Sequence, residues 1–385
     1  MTVHALLLPT LGAVQLGGAP SRLSHEGQIH PGEIRAYLTR LSGWKREWDR
    51  LLPAGWVIEH HGASQRHAVG AADSDALRKW AKSLTDTVAA EAIKPLLWAL
   101  HHHETPLTPI SIGAAQWNWR RPYIMGVVNV TPDSFSDGGQ WIDPKQAVEH
   151  ALELADAGAD ILDIGGESTR PGAQAVSTEE ELARVIPVIE ALRGRTDLPL
   201  SIDTSKALVM ARAVHAGASV INDVTALQGD PDAVAEAASN QAPVCIMHMQ
   251  GSPQDMQDSP RYAHVTAQVY AYLAERIAHL RAHGVDPRRI WVDPGIGFGK
   301  TTAHNAQLLR ELPVLRGLGC PVLLGLSRKR VVGDLSGVTD ANQRDAASHA
   351  LGALGAIHGA QIIRVHDVFG ARQAVGALHN LTVIA

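Results

Sequence analysis

From Arg120 to the C-terminus, short apolar runs rich in β-branched residues alternate with longer stretches whose apolar positions recur every three or four residues. The first pattern suits buried strands, the second amphipathic helices laid over them. The runs YIMGVVNV (123–130), DILDIGG (160–166), LPLSIDT (198–204), SVINDV (219–224), VCIMHM (244–249), IWVDPG (290–295), VLLGLS (322–327) and IIRVHD (362–367) predict eight strands. Helical patterns such as DPKQAVEHALELADAGA and STEEELARVIPVIEALRG separate them. The latter opens on a capping box, with Ser177 or Thr178 followed by Glu180 or Glu181. Eight βα units in about 265 residues are what a TIM (β/α)8 barrel requires. A doubly wound sheet also alternates strands and helices, but it predicts no particular number of them.

Ahead of residue 120 the pattern changes. Seven of the nine tryptophans fall here: Trp44, Trp48, Trp56, Trp80, Trp98, Trp117 and Trp119. The stretch DSDALRKWAKSLTDTVAAEAIKPLLWALHHH reads as amphipathic helix with Asp73 or Ser74 as its N-cap, and ETPLTPISI as a linker or short strand. The expected organisation is a smaller, mostly helical N-terminal region over 1–110 and a barrel over 111–385. His101, His102 and His103 are adjacent at a helix end, so their side chains diverge and make a poor metal set. No chemistry-bearing motif stands in this region.

Composition narrows the function classes. With 385 residues, 45% hydrophobic and 19% charged, the chain has room for one large domain and a smaller one. A net charge of −5 gives no basic footprint for nucleic acid, so any anion site must be local. Two cysteines, Cys245 and Cys320, make neither a disulfide framework nor a four-thiolate metal site, and Cys245 lies in an apolar run that reads as core. No run approaches a membrane span, and the first residues lack the basic flank of a signal peptide, so no membrane partner and a cytoplasmic location are expected.

The polar residues carry the functional signal. Nearly every predicted strand ends in one: Asn129, Asp163, Asp203, Asn222, His248, Asp293, Ser327, and the pair Arg364 and His366. In a barrel these ends converge on one mouth. Any one of them could cap the following helix, but carboxylates and amides inside apolar strands cost several kcal/mol if unpartnered. A polar ligand accounts for the set. Asp203, Asn222 and Asp293 suit the N–H and amino groups of a heterocycle, as side chains of this type do when they read base edges. Three loops supply anion chemistry: Arg170 in GGESTRPGA, Arg328, Lys329 and Arg330 in GLSRKRVVG, and Arg364 with His366 in RVHD. Loops after strands seven and eight form the usual phosphate corner of this fold, so a phosphate or diphosphate is expected there.

The stretch WVDPGIGFGKTT looks almost like a P-loop, but proline occupies the place of the first glycine and cannot donate to a phosphate. It reads instead as the turn after the sixth strand, with Lys300 facing solvent.

MGVVNVTPDSFSDGG, DIGGESTRPGA, SIDT, VINDV, MHMQGSPQDMQ, DPGIGFGK, LSRK and RVHDV, in this order over about residues 115–385, resemble the signatures of the dihydropteroate synthase family. The resemblance implies a TIM barrel that joins 6-hydroxymethyl-7,8-dihydropterin diphosphate to 4-aminobenzoate, releasing pyrophosphate, with Mg²⁺ as cofactor. It implies that Asp203, Asn222, Asp293 and Lys329 hold the pterin, and that Asn129 meets the Mg²⁺ on the diphosphate. Arg364 and His366 would hold the diphosphate itself. Arg170 and Asp137 would lie on two loops that close the site, with Asp137 also stabilising charge on the pterin. Arg170, Phe298 and Lys329 would border the aminobenzoate pocket, and Asp137, Arg170 and Lys329 would be the catalytic residues. Met247 and Met249 match positions that line the pterin cavity, though a plain core role fits them equally. A homodimer is expected on the same ground. Two alternatives are a pterin-dependent methyltransferase, which needs no diphosphate corner, and a non-catalytic pterin-binding scaffold. Residues ahead of ISIGAAQWNWRRP, which resembles the family's N-terminal hairpin, have no counterpart in the family pattern.

Overall fold

Strands appear earlier in the chain than a mostly helical N-terminal region allows. The structure, a computed structural model, describes residues 4–9, 34–39, 52, 57–61, 65–72, 74–84, 94–131, 144–169, 174–252 and 255–384. Among them, β1 (His4–Pro9), β2 (Ile34–Thr39), β3 (Val57–His61) and β4 (Gln65–Ala72) form an antiparallel sheet in the order β1-β2-β4-β3. Helices α1 (Ser74–Ser83) and α2 (Lys94–Glu104) follow, inside the stretch read as helical. The region is therefore a mixture of sheet and helix. A run such as HALLLP carries no β-branched residue, so its apolar character alone did not distinguish strand from helix. Asp73, one of the two expected caps of α1, lies outside the described residues.

The chain divides into two compact units. One contains Met1–Pro106 with Tyr262–Tyr272 and Gln307–Gly319; the other contains Leu107–Arg261, Leu273–Ala306 and Cys320–Ala385. Within the first, Arg316 on the 3-10 segment Leu312–Leu318 donates to the Thr105 carbonyl just beyond α2 (3.0 Å).

The second unit opens with a hairpin, β5 (Ile110–Ile112) and β6 (Ala115–Trp117), and continues as the barrel. In chain order its elements are β7 (Tyr123–Asn129), α3 (Pro144–Asp156), β8 (Ile161–Gly165), α4 (Thr178–Arg193), β9 (Leu200–Asp203), α5 (Ala207–Ala216), β10 (Val220–Asp223) and α6 (Ala233–Ser239). Then come β11 (Val244–Met247), α7 (Val265–Ala282), β12 (Ile290–Asp293), α8 (Thr302–Arg310), β13 (Leu323–Gly325), α9 (Arg330–Ser336), α10 (Asp345–Ile357), β14 (Ile362–Val365) and α11 (Val368–Ile384). Among the described residues the eight strands pair in parallel in the order β12-β11-β10-β9-β8-β7-β14-β13, and a bridge between Val292 and Val322 closes the ring. Each strand falls within one of the apolar runs.

Apolar side chains fill the end of the barrel where the strands begin. Trp117 of the hairpin stacks on Tyr123 (ring centroids 4.0 Å apart) and on Trp291 (5.7 Å), over Ile112, Met125, Cys245 and Ile362. Burial pushes the Cys245 thiol well up, so it serves as core rather than as a nucleophile. Among the described residues no helix is long and apolar enough to cross a membrane.

The start of α4 follows the sequence signal closely. Ser177 is the N-cap and accepts from the Glu180 backbone N–H (3.1 Å). Ser177→Ala is expected to lower the unfolding free energy by about 1 kcal/mol. That shift should appear in the urea midpoint with an unchanged slope; an unmoved midpoint would mean that solvent caps the helix equally well.

Candidate active site

Packing one face of each strand into a closed ring leaves the strand ends to meet at the mouth, and polar side chains gather there. Asp203 and Asn222 are register partners on β9 and β10, so their side chains share a face. Arg364 of β14 reaches across to them. It donates from Nε to Asp163 Oδ2 (2.6 Å) and from Nη2 to Asp203 Oδ2 (2.8 Å). Asn222 Nδ2 donates to the same Asp163 oxygen (3.0 Å). Asp163 is fully buried, and its Oδ1 has no hydrogen-bond partner among the described residues.

Two carboxylates around one guanidinium set the electrostatics. Burial raises the Asp203 pKa to about 7; Arg364 pulls it back and Asp163 pushes it further up. Burial works against the Arg364 charge, but Asp163 and Asp203 more than offset it, so the guanidinium stays protonated. The resemblance assigned Arg364 to the diphosphate. Here two of its donors are committed to interior carboxylates, which places its charge beneath the mouth rather than at the rim.

Across the barrel, Asp293 ends β12 and accepts from the Gly295 N–H (2.7 Å), and burial raises its pKa. Lys329, just past β13, donates from Nζ to the Ile296 carbonyl (2.7 Å) and sits 4.5 Å from the centre of the Phe298 ring. Burial lowers its pKa to about 8 against the opposing pull of Asp293. Phe298 packs with Met247 and Met256, with Met249 alongside, so the two methionines of MHM join the wall that carries Phe298. An ammonium, an aromatic face and a carboxylate thus meet on one side of the mouth.

At the rim, the His366 N–H and Nδ1 lie 3.2 and 3.0 Å from Ser327 Oγ, and Asn129 ends the neighbouring strand β7. These are the described parts of the expected phosphate corner. Arg328 is not free to join them: its guanidinium makes a bidentate pair with Asp345 (2.7 Å for each bond). Arg330 is largely exposed beside Asp334. Asp137 and Arg170 lie outside the described residues. No group of three or more His, Cys, Asp or Glu side chains that could hold a metal occurs among the described residues.

One reading of the sequence is overturned. Lys300 does not face solvent; it is 3% exposed, and its Nζ contacts three carbonyls and an imidazole. A lone lysine after a glycine-rich turn reads as exposed because nothing nearby in the sequence is acidic; its partners are backbone oxygens, which sequence does not display. A second network escaped sequence reasoning for a similar reason. Lys206, three residues past Asp203, bridges Glu167 and the fully buried Glu181, both at 2.5 Å. Glu167 in turn accepts from the Val176 N–H (3.1 Å), anchoring the chain on the far side of residues 170–173. The only sequence signal was a glutamate in GGEST and a lysine in DTSK, each ordinary alone.

A concavity of 790 Å³ beside the hairpin, lined in part by Trp117, Arg121 and Asp160, opens at the opposite end of the barrel. Barrels of this type place their chemistry at the strand C-termini, where the polar ring lies.

Known proteins resemble this chain across the barrel. The family model described as pterin binding enzyme matches residues 125–366. The dihydropteroate synthase of Escherichia coli strain K12 is 47% identical over 247 residues, which cover 64% of this chain and 87% of the relative. A solved dihydropteroate synthase of Xanthomonas albilineans with 4-aminobenzoic acid is 50% identical, covers 72% of this chain and 99% of its own, and superposes with a TM-score of 0.68. A structure of the enzyme from that organism in complex with 7,8-dihydropteroate is 47% identical, covers 72% of this chain and 100% of its own, and gives a TM-score of 0.66. A buried Asp–Arg–Asp bridge with Asn222, Asp293 and Lys329 at the mouth of a closed barrel, matched from β7 through β14, means that this chain belongs to the pterin-binding enzyme family.

Proposed function

We propose that the chain is a transferase, a dihydropteroate synthase. It condenses 6-hydroxymethyl-7,8-dihydropterin diphosphate with 4-aminobenzoate to give 7,8-dihydropteroate and pyrophosphate, a step of folate synthesis. The observation that carries this reading is the convergence of Asp163, Asp203, Asn222, Asp293, Lys329 and Arg364 on one barrel mouth, in a chain whose relatives are solved with 4-aminobenzoic acid and 7,8-dihydropteroate.

In this reading Asp203, Asn222 and Asp293 take the N–H and amino edge of the pterin, and Lys329 donates to a ring acceptor. His366 and Asn129 face the diphosphate. Arg364 stabilises it through its charge, from below. The C–O bond to diphosphate breaks with positive charge growing on the pterin methylene, and the neutral aryl amine attacks that carbon. Its proton leaves to solvent, since the amine is nucleophilic without a base. Phe298 and Lys329 border the aminobenzoate. Asp137 and Arg170 keep the roles that the resemblance implies, and a homodimer in the cytoplasm acting without nucleic acid is part of the same proposal.

A magnesium ion fits the donor set in a limited way. Asn129 offers one amide oxygen, and the described residues hold no carboxylate cage. That suits a cation that keeps several waters and takes its other ligands from substrate phosphates. Bound there, Mg²⁺ would neutralise the departing pyrophosphate.

The test is pyrophosphate release by the full chain, given the pterin diphosphate and Mg²⁺, with and without 4-aminobenzoate. The expected result is release that depends on 4-aminobenzoate, with dihydropteroate formed in equal amount. Tight pterin binding without release would leave a scaffold instead.

A further inference from the structure

Lys300, at the barrel mouth, has no part in the proposed reaction, and its surroundings are unusual. Its Nζ contacts the carbonyls of Gly295 (2.8 Å), Phe298 (2.9 Å) and His248 (3.2 Å), and His248 Nδ1 (3.0 Å). Burial lowers the Lys300 pKa well below its ordinary value against the pull of Asp293, and the Nζ–Nδ1 contact fixes one ring nitrogen of His248 in place. Burial and then Lys300 hold the His248 pKa down to about 2, in keeping with a neutral ring. None of these four partners is a carboxylate. What the four contacts of Lys300 Nζ supply is a fixed geometry.

That geometry joins two loops of the mouth. His248 follows β11, whereas Gly295 and Phe298 follow β12. The second loop is built on glycine. Gly295, Gly297 and Gly299 adopt φ values of +68°, +84° and +60°, and glycine gives up the most backbone freedom on ordering. The loops also approach backbone to backbone. A Cβ on Gly295 would lie 1.9 Å from the His248 oxygen, and one on Gly299 would lie 2.5 Å from the Gln250 oxygen. The His248 carbonyl of one loop and the Gly295 and Phe298 carbonyls of the other meet at one donor, Lys300 Nζ. Two lighter braces act on the same loop: Gln257 donates to the Gly297 oxygen (2.7 Å), and Asn305 accepts from the Gly297 N–H (2.9 Å).

We propose that Lys300 is a positioning residue for the aminobenzoate pocket, its Nζ tying Gly295 and Phe298 to His248 so that the Phe298 ring stays beneath Lys329. This rests on the reading in which Phe298 and Lys329 border 4-aminobenzoate. The pterin-facing carboxylates depend on this loop less. Asp203 lies in the sheet in register with Asn222, and Asp293, in register with Met247, takes one bond from the loop, the Gly295 N–H. Loosening the loop therefore acts on one substrate more than on the other.

The test compares the full chain with Lys300→Met and with Gln257→Ala, a change at an exposed brace of the same loop. Pyrophosphate release gives KM for 4-aminobenzoate and kcat, and calorimetry gives the affinity for the pterin diphosphate in the absence of 4-aminobenzoate. For Lys300→Met the expected result is a KM about tenfold higher, with kcat and pterin affinity within about twofold, the signature of lost uniform binding for one substrate. Gln257→Ala should raise the same KM about two- to threefold. An unchanged KM in Lys300→Met, or equal losses for both substrates, overturns the inference. If Lys300→Met does not fold, an unchanged KM in Gln257→Ala overturns it. An inactive wild-type chain would instead overturn the synthase reading.

Discussion

Replacing Arg364 by methionine is expected to lower the stability of the folded protein by about 3–5 kcal/mol at neutral pH and to abolish pyrophosphate release. The guanidinium is the bridge between Asp163 and Asp203, and Asp163 already carries one buried oxygen without a partner among the described residues. Removing one member of a buried pair leaves charge that neither solvent nor protein compensates. The pH dependence distinguishes this from simple loss of packing. Without Arg364 the folded-state pKa of Asp203 rises further above its unfolded value. The folded state then keeps protons that the unfolded state gives up, so the deficit is smallest below about pH 4, where both states are protonated, and grows as pH rises. Chemical unfolding of wild type and variant at several pH values measures it. A deficit below about 1 kcal/mol at neutral pH, or one that does not change with pH, would show that the bridge carries little of the site's stability. Arg364→Lys keeps the charge but replaces a planar fork by a single point of donation, so it should recover only part of the loss.

The barrel was legible because it rests on the strongest sequence signal, apolar runs of strand length repeated eight times with helical periodicity between them. The mouth was legible because carboxylates and amides inside such runs have no other economical explanation. What stayed hidden depends on partners that sequence does not display. Lys300 reads as exposed until its carbonyl acceptors are seen. Arg328 reads as an anion donor until Asp345, seventeen residues on, is found beside it. Arg364 and His366 were expected to act together at the rim, yet Arg364 still belongs to the strand and turns inward, while His366 lies past its end and meets Ser327. The first strand of the N-terminal sheet was missed because HALLLP carries no β-branched residue.

Asp203 ties substrate affinity and folding stability to pH with opposite signs. In the proposed reaction it accepts from pterin N–H groups as a carboxylate, and burial holds its pKa up to about 7. Below that value the free protein is protonated there, and a bound N–H donor must displace the proton. Affinity for the pterin diphosphate is therefore expected to fall about tenfold per unit as pH drops below 7, roughly a hundredfold by pH 5. Stability runs the other way. The folded pKa lies above the unfolded one, so this group's contribution is fully present below about pH 4 and is lost as pH rises through about 7. Asp223, raised by burial to about 6, adds a slope of the same sign that ends earlier. Asp203→Asn separates the two groups. It should flatten the affinity profile at a weak, pH-independent value, because an amide accepts less strongly than a carboxylate and carries no charge. It should also remove the part of the stability slope between about pH 6 and 7, leaving the part that belongs to Asp223. Calorimetric titration of wild type and variant across this range reads the first effect, and urea unfolding in the same buffers reads the second. A wild-type affinity that holds level from neutral to about pH 5 would mean that Asp203 binds the pterin in its protonated form, as a donor.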